Sequence, residues 1–118
     1  MIKIDIPYMH YVLDVLRDIE NSMKNISKDN FEKDTDKRDA NIRRLGIMSE
    51  AIKNISEDLK NKYKNIEWQK FIRIKELLIN HYFGVDTNSI WRFIKEDLPK
   101  LKLNIGEILE KEEDGKKK

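Results

Sequence analysis

Cysteine is absent from this 118-residue chain, which excludes disulfides and thiolate metal sites. Only two prolines and four glycines are present. So few turn-forming residues favour long helices over many short strands. The glycines are scattered at 46, 84, 106 and 115, so no glycine-rich phosphate loop can be assembled from them. Histidine is limited to His10 and His81. No HExxH and no Glu-x-x-His pairing occurs, so a bundle-core metal site has no support and no metal or other cofactor is expected. No apolar run approaches the roughly 20 residues that cross a bilayer. The N-terminal MIKIDIPYMHY lacks the basic-then-apolar build of a secretion signal. A cytoplasmic protein is expected. A large charge of one sign is missing too: 24 Lys and Arg stand against 22 Asp and Glu, a net charge of +2. That balance argues against a polybasic protein bound to nucleic acid by many phosphate contacts, while leaving room for a local basic groove.

What is present is hydrophobic periodicity. From Asp5 to about Ile26, the residues Ile6, Met9, Val12, Leu13, Leu16, Ile19, Met23 and Ile26 recur at three and four, the spacing of one helical face. Asp5 can cap this helix, and Pro7 suits its first turn. SKDNFEKDTD, residues 27–36, is polar around Phe31 and reads as an irregular connection pinned by that ring. Thr35 or Asp36 would cap a second helix running from about Lys37 to Lys62, with Ala40, Ile42, Leu45, Met48, Ala51, Ile52, Ile55 and Leu59 inward and Ile47 near the seam. Lys60, Lys62 and Lys64 near its end suit the negative pole of a helix dipole better than a nucleic-acid patch.

A third helix begins near Trp68 and carries Phe71, Ile72, Ile74, Leu77, Leu78 and Tyr82, with Gly84 as its C-terminal stop. Asp86 or Thr87 can cap a fourth, holding Ile90, Trp91 and Ile94. Pro99 then ends or bends it into a fifth segment with Leu101, Leu103, Ile105, Ile108 and Leu109. The sum is an all-α, up-and-down antiparallel bundle of four to five helices, one domain over residues 1–110. Residues 111–118, charged and without periodicity, read as a disordered tail.

Chemistry concentrates at the end of the third helix. His10, between Met9 and Tyr11, reads as packing or surface. His81 sits beside Asn80 and Tyr82, on the same predicted helix as Arg73 and Lys75. At about 100° per residue, positions 73 and 80 lie nearly in line, roughly 10 Å apart along the axis, whereas 75 and 80 differ by about 140°. Lys75 and Asn80 would therefore meet at one phosphate only in a shared cleft or across a second subunit. The plain reading of Trp68, Phe83 and Trp91 is that they pack the turn between helices, and that of Arg43 and Arg44 is a solvated face.

FEKD at 31–34, IRRLGIMSEAIKNIS at 42–56, IEW at 66–68, and HYFGVD followed by IWRFIKEDLPKL together resemble the HepT-like branch of the HEPN superfamily, over about two thirds of the chain. The resemblance implies a homodimeric bundle whose third helix supplies an Arg-x4-His-x-Tyr motif to a cleft between subunits. There the histidine moves protons, the arginine steadies charge on the phosphate, and RNA is cleaved without a metal. It also implies a nucleotidyltransferase antitoxin that silences the toxin by transferring AMP to the motif tyrosine, here Tyr82. The arginine position holds Lys75 and the histidine position holds Asn80, so the motif reads Lys-x4-Asn-x-Tyr. Lysine keeps the charge but not the two-pronged geometry of guanidinium. Asparagine cannot shuttle a proton. Arg73 and His81, about 80° apart on the wheel, are the candidate substitutes. Glu50 occupies a position that is usually glutamate in the family and, with Arg43, is a candidate supporting residue. The alternative is a catalytically inactive dimer that serves as a binding subunit for the nucleotidyltransferase.

Overall fold

The computed structural model describes the backbone of residues 2–82 and 87–117, and the side chains of 3–78 and 87–113. Among these residues the chain forms α1 (Ile2–Met23), α2 (Lys28–Lys33), α3 (Thr35–Lys53), α4 (Glu57–Lys62), α5 (Trp68–Ile72), α6 (Ile74–Tyr82), α7 (Thr87–Arg92), a π-helical turn (Phe93–Asp97) and α8 (Leu98–Lys117). No strand occurs among the described residues. The segments line up as four rods: α1, α3 with α4, α5 with α6, and α7 through α8.

Long-range contacts set their directions. Asp5 meets Ser56 and Ser22 meets Asn41, so α3 runs back along α1. Ser49 meets Ile72, and Gly46 faces Leu78, so α5 and α6 run back along α3. His10 meets Glu113 and Glu20 meets Lys102, so α8 is antiparallel to α1. The expected all-α, up-and-down bundle is what forms, and its single core draws on every rod.

The breaks between segments have local causes. Asn25 takes a left-handed conformation at φ 63°, which ends α1 before Ile26; asparagine tolerates this region better than most residues. The polar linker is not irregular throughout. Ser27 accepts from the Asn30 amide at 3.1 Å and starts α2, while Phe31 is fully buried, its ring 5.6 Å from that of Trp91 and tilted 45° to it. The cap of α3 is Asp34, through Lys37 N–H at 3.0 Å, and neither Thr35 nor Asp36.

The long second helix expected to reach Lys62 is interrupted at residues 54–56. Asn54 turns its side-chain amide onto the Glu50 carbonyl at 2.9 Å, and Ser56 caps α4 by accepting from Leu59 N–H at 3.2 Å. Short polar side chains compete with the backbone in this way. Asp5 does not cap α1. It lies within that helix, buried, accepting from the Ser56 amide at 2.8 Å and the Ser56 hydroxyl at 2.5 Å.

Pro99 does not end the last rod, since α8 begins at Leu98 and runs through it. The backbone widens into the π turn just before it, with Leu98 N–H reaching the Phe93 carbonyl, which relieves the clash a proline ring makes with the carbonyl four residues back. α8 then runs to Lys117, so the charged stretch expected to be disordered from 111 is helical through that residue. Glu112 accepts from Lys62 at 2.8 Å and from the Tyr63 hydroxyl at 2.5 Å. Leu103, expected inward, is 68% exposed. It lies about 200° around the helix from Leu101, and Leu101, Ile105 and Ile108 form the buried stripe. The expected stop at Gly84 and cap at Asp86 lie outside the described residues; at Thr87, the other cap considered, α7 begins.

Candidate active site

The third rod is not one continuous helix. It breaks at Arg73, between α5 and α6. α5 is anchored by Trp68 and Phe71, both buried. The Trp68 indole donates to the Tyr63 carbonyl at 3.0 Å, and Phe71 meets Phe93 edge-on at 5.7 Å. Lys70 pairs with Asp97 at 2.8 Å, tying α5 to the π turn. That contact holds the ammonium in its charged form, so its pKa is raised by the hydrogen bond to Asp97.

The break changes the helical-wheel relations expected from sequence. Arg73 sits at the joint, φ −83° and ψ 1°, exposed, and does not share an unbroken helix with residue 80. Lys75 and Asn80 both belong to α6, so the separation of about 140° around the axis applies to them. The side chains of Asn80, His81 and Tyr82 lie outside the described residues, as does everything at Phe83. Trp68 and Trp91 are packing aromatics: the first is buried, the second partly so against the core.

Lys75 is exposed, and its ammonium donates to the Glu50 carboxylate of α3. That hydrogen bond and the attendant charge attraction hold the Glu50 pKa below the ordinary value of 4.5. Both side chains are 51% exposed. The pair therefore presents a cation to solvent rather than locking it inside. Arg43, one candidate support, is exposed on α3, and the structure shows no contact between it and Lys75. Arg44 donates to Asn41 at 3.0 Å, which gives it a structural partner. His10 lies on the same stretch of α1 as Tyr8 and Tyr11, but its partner is Glu113 of α8 and not a residue of the Lys75–Glu50 pair.

Beside the ion pair, Pro7, Tyr8, Tyr11, Ile47, Ala51 and Glu50 line an open depression of about 490 Å³. Tyr8 and Tyr11 are among the few large apolar side chains left exposed among the described residues. No group of three or more His, Asp or Glu that could hold a metal occurs among the described residues, and no helix there is long and apolar enough to cross a membrane.

Two residues of the site escaped sequence reasoning. Ser49 is buried between Met48 and Glu50 and donates its hydroxyl to the Ile72 carbonyl at 2.8 Å. Its signal was present: position 49 falls on the stripe of Ile42, Leu45 and Ile52, where a serine must find an internal partner. The second is the Asn54 amide that closes α3 beneath the depression.

Comparison with known proteins agrees with this architecture. Residues 12–108 match the family described as ribonuclease HepT-like, and the chain belongs to that family. It is 39% identical over 103 residues to a protein of Methanocaldococcus jannaschii named a gamma-glutamylcyclotransferase and candidate RNase, covering 87% of this chain and 46% of that relative. The chain thus spans less than half of that longer protein. It is 33% identical over 106 residues to a candidate RNase of Caldanaerobacter subterraneus subsp. tengcongensis, covering 90% and 95% of the two chains. To the "probable ribonuclease HepT" of Thermococcus cleftensis it is 37% identical over 95 residues, 80% and 86% of the two. No solved structure matches.

Proposed function

We propose that this chain is the toxin of a toxin–antitoxin pair: a homodimeric, metal-independent endoribonuclease silenced when a nucleotidyltransferase antitoxin transfers AMP to Tyr82. The observation that carries the reading is the presentation of Lys75. Its ammonium stands exposed on α6 at the position of the motif arginine, steered by Glu50. A half-exposed cation can leave its carboxylate partner and stabilise charge on a phosphate. The names of the relatives, which include RNase and ribonuclease HepT, favour RNA as the substrate. The exposed tyrosines beside Glu50 supply an apolar face that a second copy of the chain would cover, which would bring two α6 helices to one cleft.

One substitution favours a second reading. Asn80 cannot carry a proton, and loss of a general acid or base costs about 10²- to 10⁴-fold in rate. The same dimer would then serve as a binding subunit for the nucleotidyltransferase. Cleavage of RNA by the parent and by the Lys75→Arg/Asn80→His variant decides between them. Cleavage by both supports the nuclease, cleavage by the variant alone supports the binding subunit, and cleavage by neither sinks the ribonuclease reading. Incubation with a nucleotidyltransferase and labelled ATP tests the modification site. Equal labelling of the parent and Tyr82→Phe would place the AMP elsewhere.

A further inference from the structure

The joint between α5 and α6 is held from α3 by two adjacent residues. In an unbroken helix the Ile72 carbonyl would accept from the Glu76 amide, four residues on. The Glu76 amide instead reaches the Arg73 carbonyl at 2.9 Å, one residue tighter. Immediately before the joint the step is α-helical, with Arg73 N–H on the Gln69 carbonyl at 2.9 Å. The Ile72 carbonyl freed by this step is taken by the Ser49 hydroxyl at 2.8 Å. Ser49 is 1% exposed, so water cannot replace it. One residue further along α3, Glu50 holds the Lys75 ammonium. Phe71 and Ile74 are buried on either side of the break, so the joint is pressed against the core.

We propose that Ser49 is a positioning residue: its hydroxyl captures the Ile72 carbonyl, fixes the step between α5 and α6, and so sets the direction in which α6 presents Lys75. The functional part of this rests on the reading of α6 as the reactive helix; the geometric part does not. Without the hydroxyl, the Ile72 carbonyl becomes available to the Glu76 amide, and the backbone favours a continuous helix from Trp68 onward. That changes the rotation of every residue beyond the joint relative to Glu50.

Ser49→Thr and Ser49→Val share one outline and differ in the hydroxyl, so any cost of the added bulk falls on both. Ser49→Ala adds a variant without bulk. Backbone NMR resonances over residues 73–82 are expected to shift along the whole of α6 in Val and Ala, with altered exchange of the Glu76 amide, and to stay near the parent in Thr. In RNA cleavage, the turnover rate of Val and Ala falls by about 10²-fold, as small misplacements do, with KM little changed, and Thr retains activity. Thr and Val behaving alike, or resonance changes confined to the neighbours of residue 49, would overturn the positioning role. A parent that cleaves no RNA counts against the ribonuclease reading, and the resonances then judge Ser49 separately.

Discussion

Replacing Lys75 with methionine separates two things its ammonium can do. As the partner of Glu50 it is half exposed at both ends, and solvent screening leaves an ion pair of that kind little weight in stability. The melting midpoint should therefore move little when the pair is lost. As a contact to a transferring phosphate its loss has a different signature. Each neutralised phosphate of a single strand adds about −0.7 to the slope of log binding constant against log salt. Lys75→Met should therefore flatten that slope by about 0.7 per site and weaken binding evenly across RNA sequences. The single variant also strands the Glu50 carboxylate, which would repel RNA for an unrelated reason. The Lys75→Met/Glu50→Gln double variant removes both charges and reports the missing cation alone. Fluorescence anisotropy with a labelled single-stranded RNA over a salt series gives the slope, and thermal melts of the same samples give the stability. A double variant with an unchanged slope and a melting point little moved would show that Lys75 is a surface ion pair and not a phosphate contact.

Two further outcomes follow from the scaffold. Asp5→Ala removes an acceptor that is 1% exposed and receives two hydrogen bonds from Ser56; at about 1.5–3 kcal/mol for a bond to a charged group, partly shared between the two, the loss should be about 2–4 kcal/mol in urea unfolding, and a loss below about 1 kcal/mol would mean that water reaches the Ser56 amide. The Tyr63 hydroxyl is pushed up to about 12 by burial and then by its hydrogen bond to Glu112. Its contribution to stability is thus complete below the ordinary value of 10 and is lost as pH rises through about 12. Phenolate absorbance in Glu112→Gln should titrate lower than in the parent yet still above 10, because burial is the larger cause.

The helical faces were legible because burial imposes a period that the sequence records directly. Ile6 through Met23, Ile42 through Leu59, and Ile90 with Ile94 are buried as their spacing predicts. The interruptions were harder to read. Ser49, Asn54 and Ser56 break or reshape helices through hydrogen bonds of their side chains, and two of the three also have a partner remote in sequence: the Ile72 carbonyl for Ser49 and the Asp5 carboxylate for Ser56. A pattern of apolar residues carries no trace of such partners. The π turn before Pro99 was hidden for a related reason, since a proline announces a missing donor and a clash but not how the chain will resolve them. At the site, the resemblance pointed to Lys75 and Glu50, and the structure joins those two side chains. The rotation of one helical half against the other at Arg73 lay beyond any wheel drawn for a single straight helix.

The wide turn at Phe93–Asp97 also governs how the chain can change length. A π turn spends one residue more per hydrogen-bonded loop than an α turn. Deleting a single residue there would let the backbone close to α geometry while leaving the rods on either side facing as they do, at the cost of returning the Pro99 ring to its clash. The same deletion inside α8 would rotate everything beyond it by about 100°, dislodging the stripe of Leu101, Ile105 and Ile108 from α1. The last rod therefore carries its tolerance for insertion and deletion at one spot, and its rotational phase against α1 is geared there.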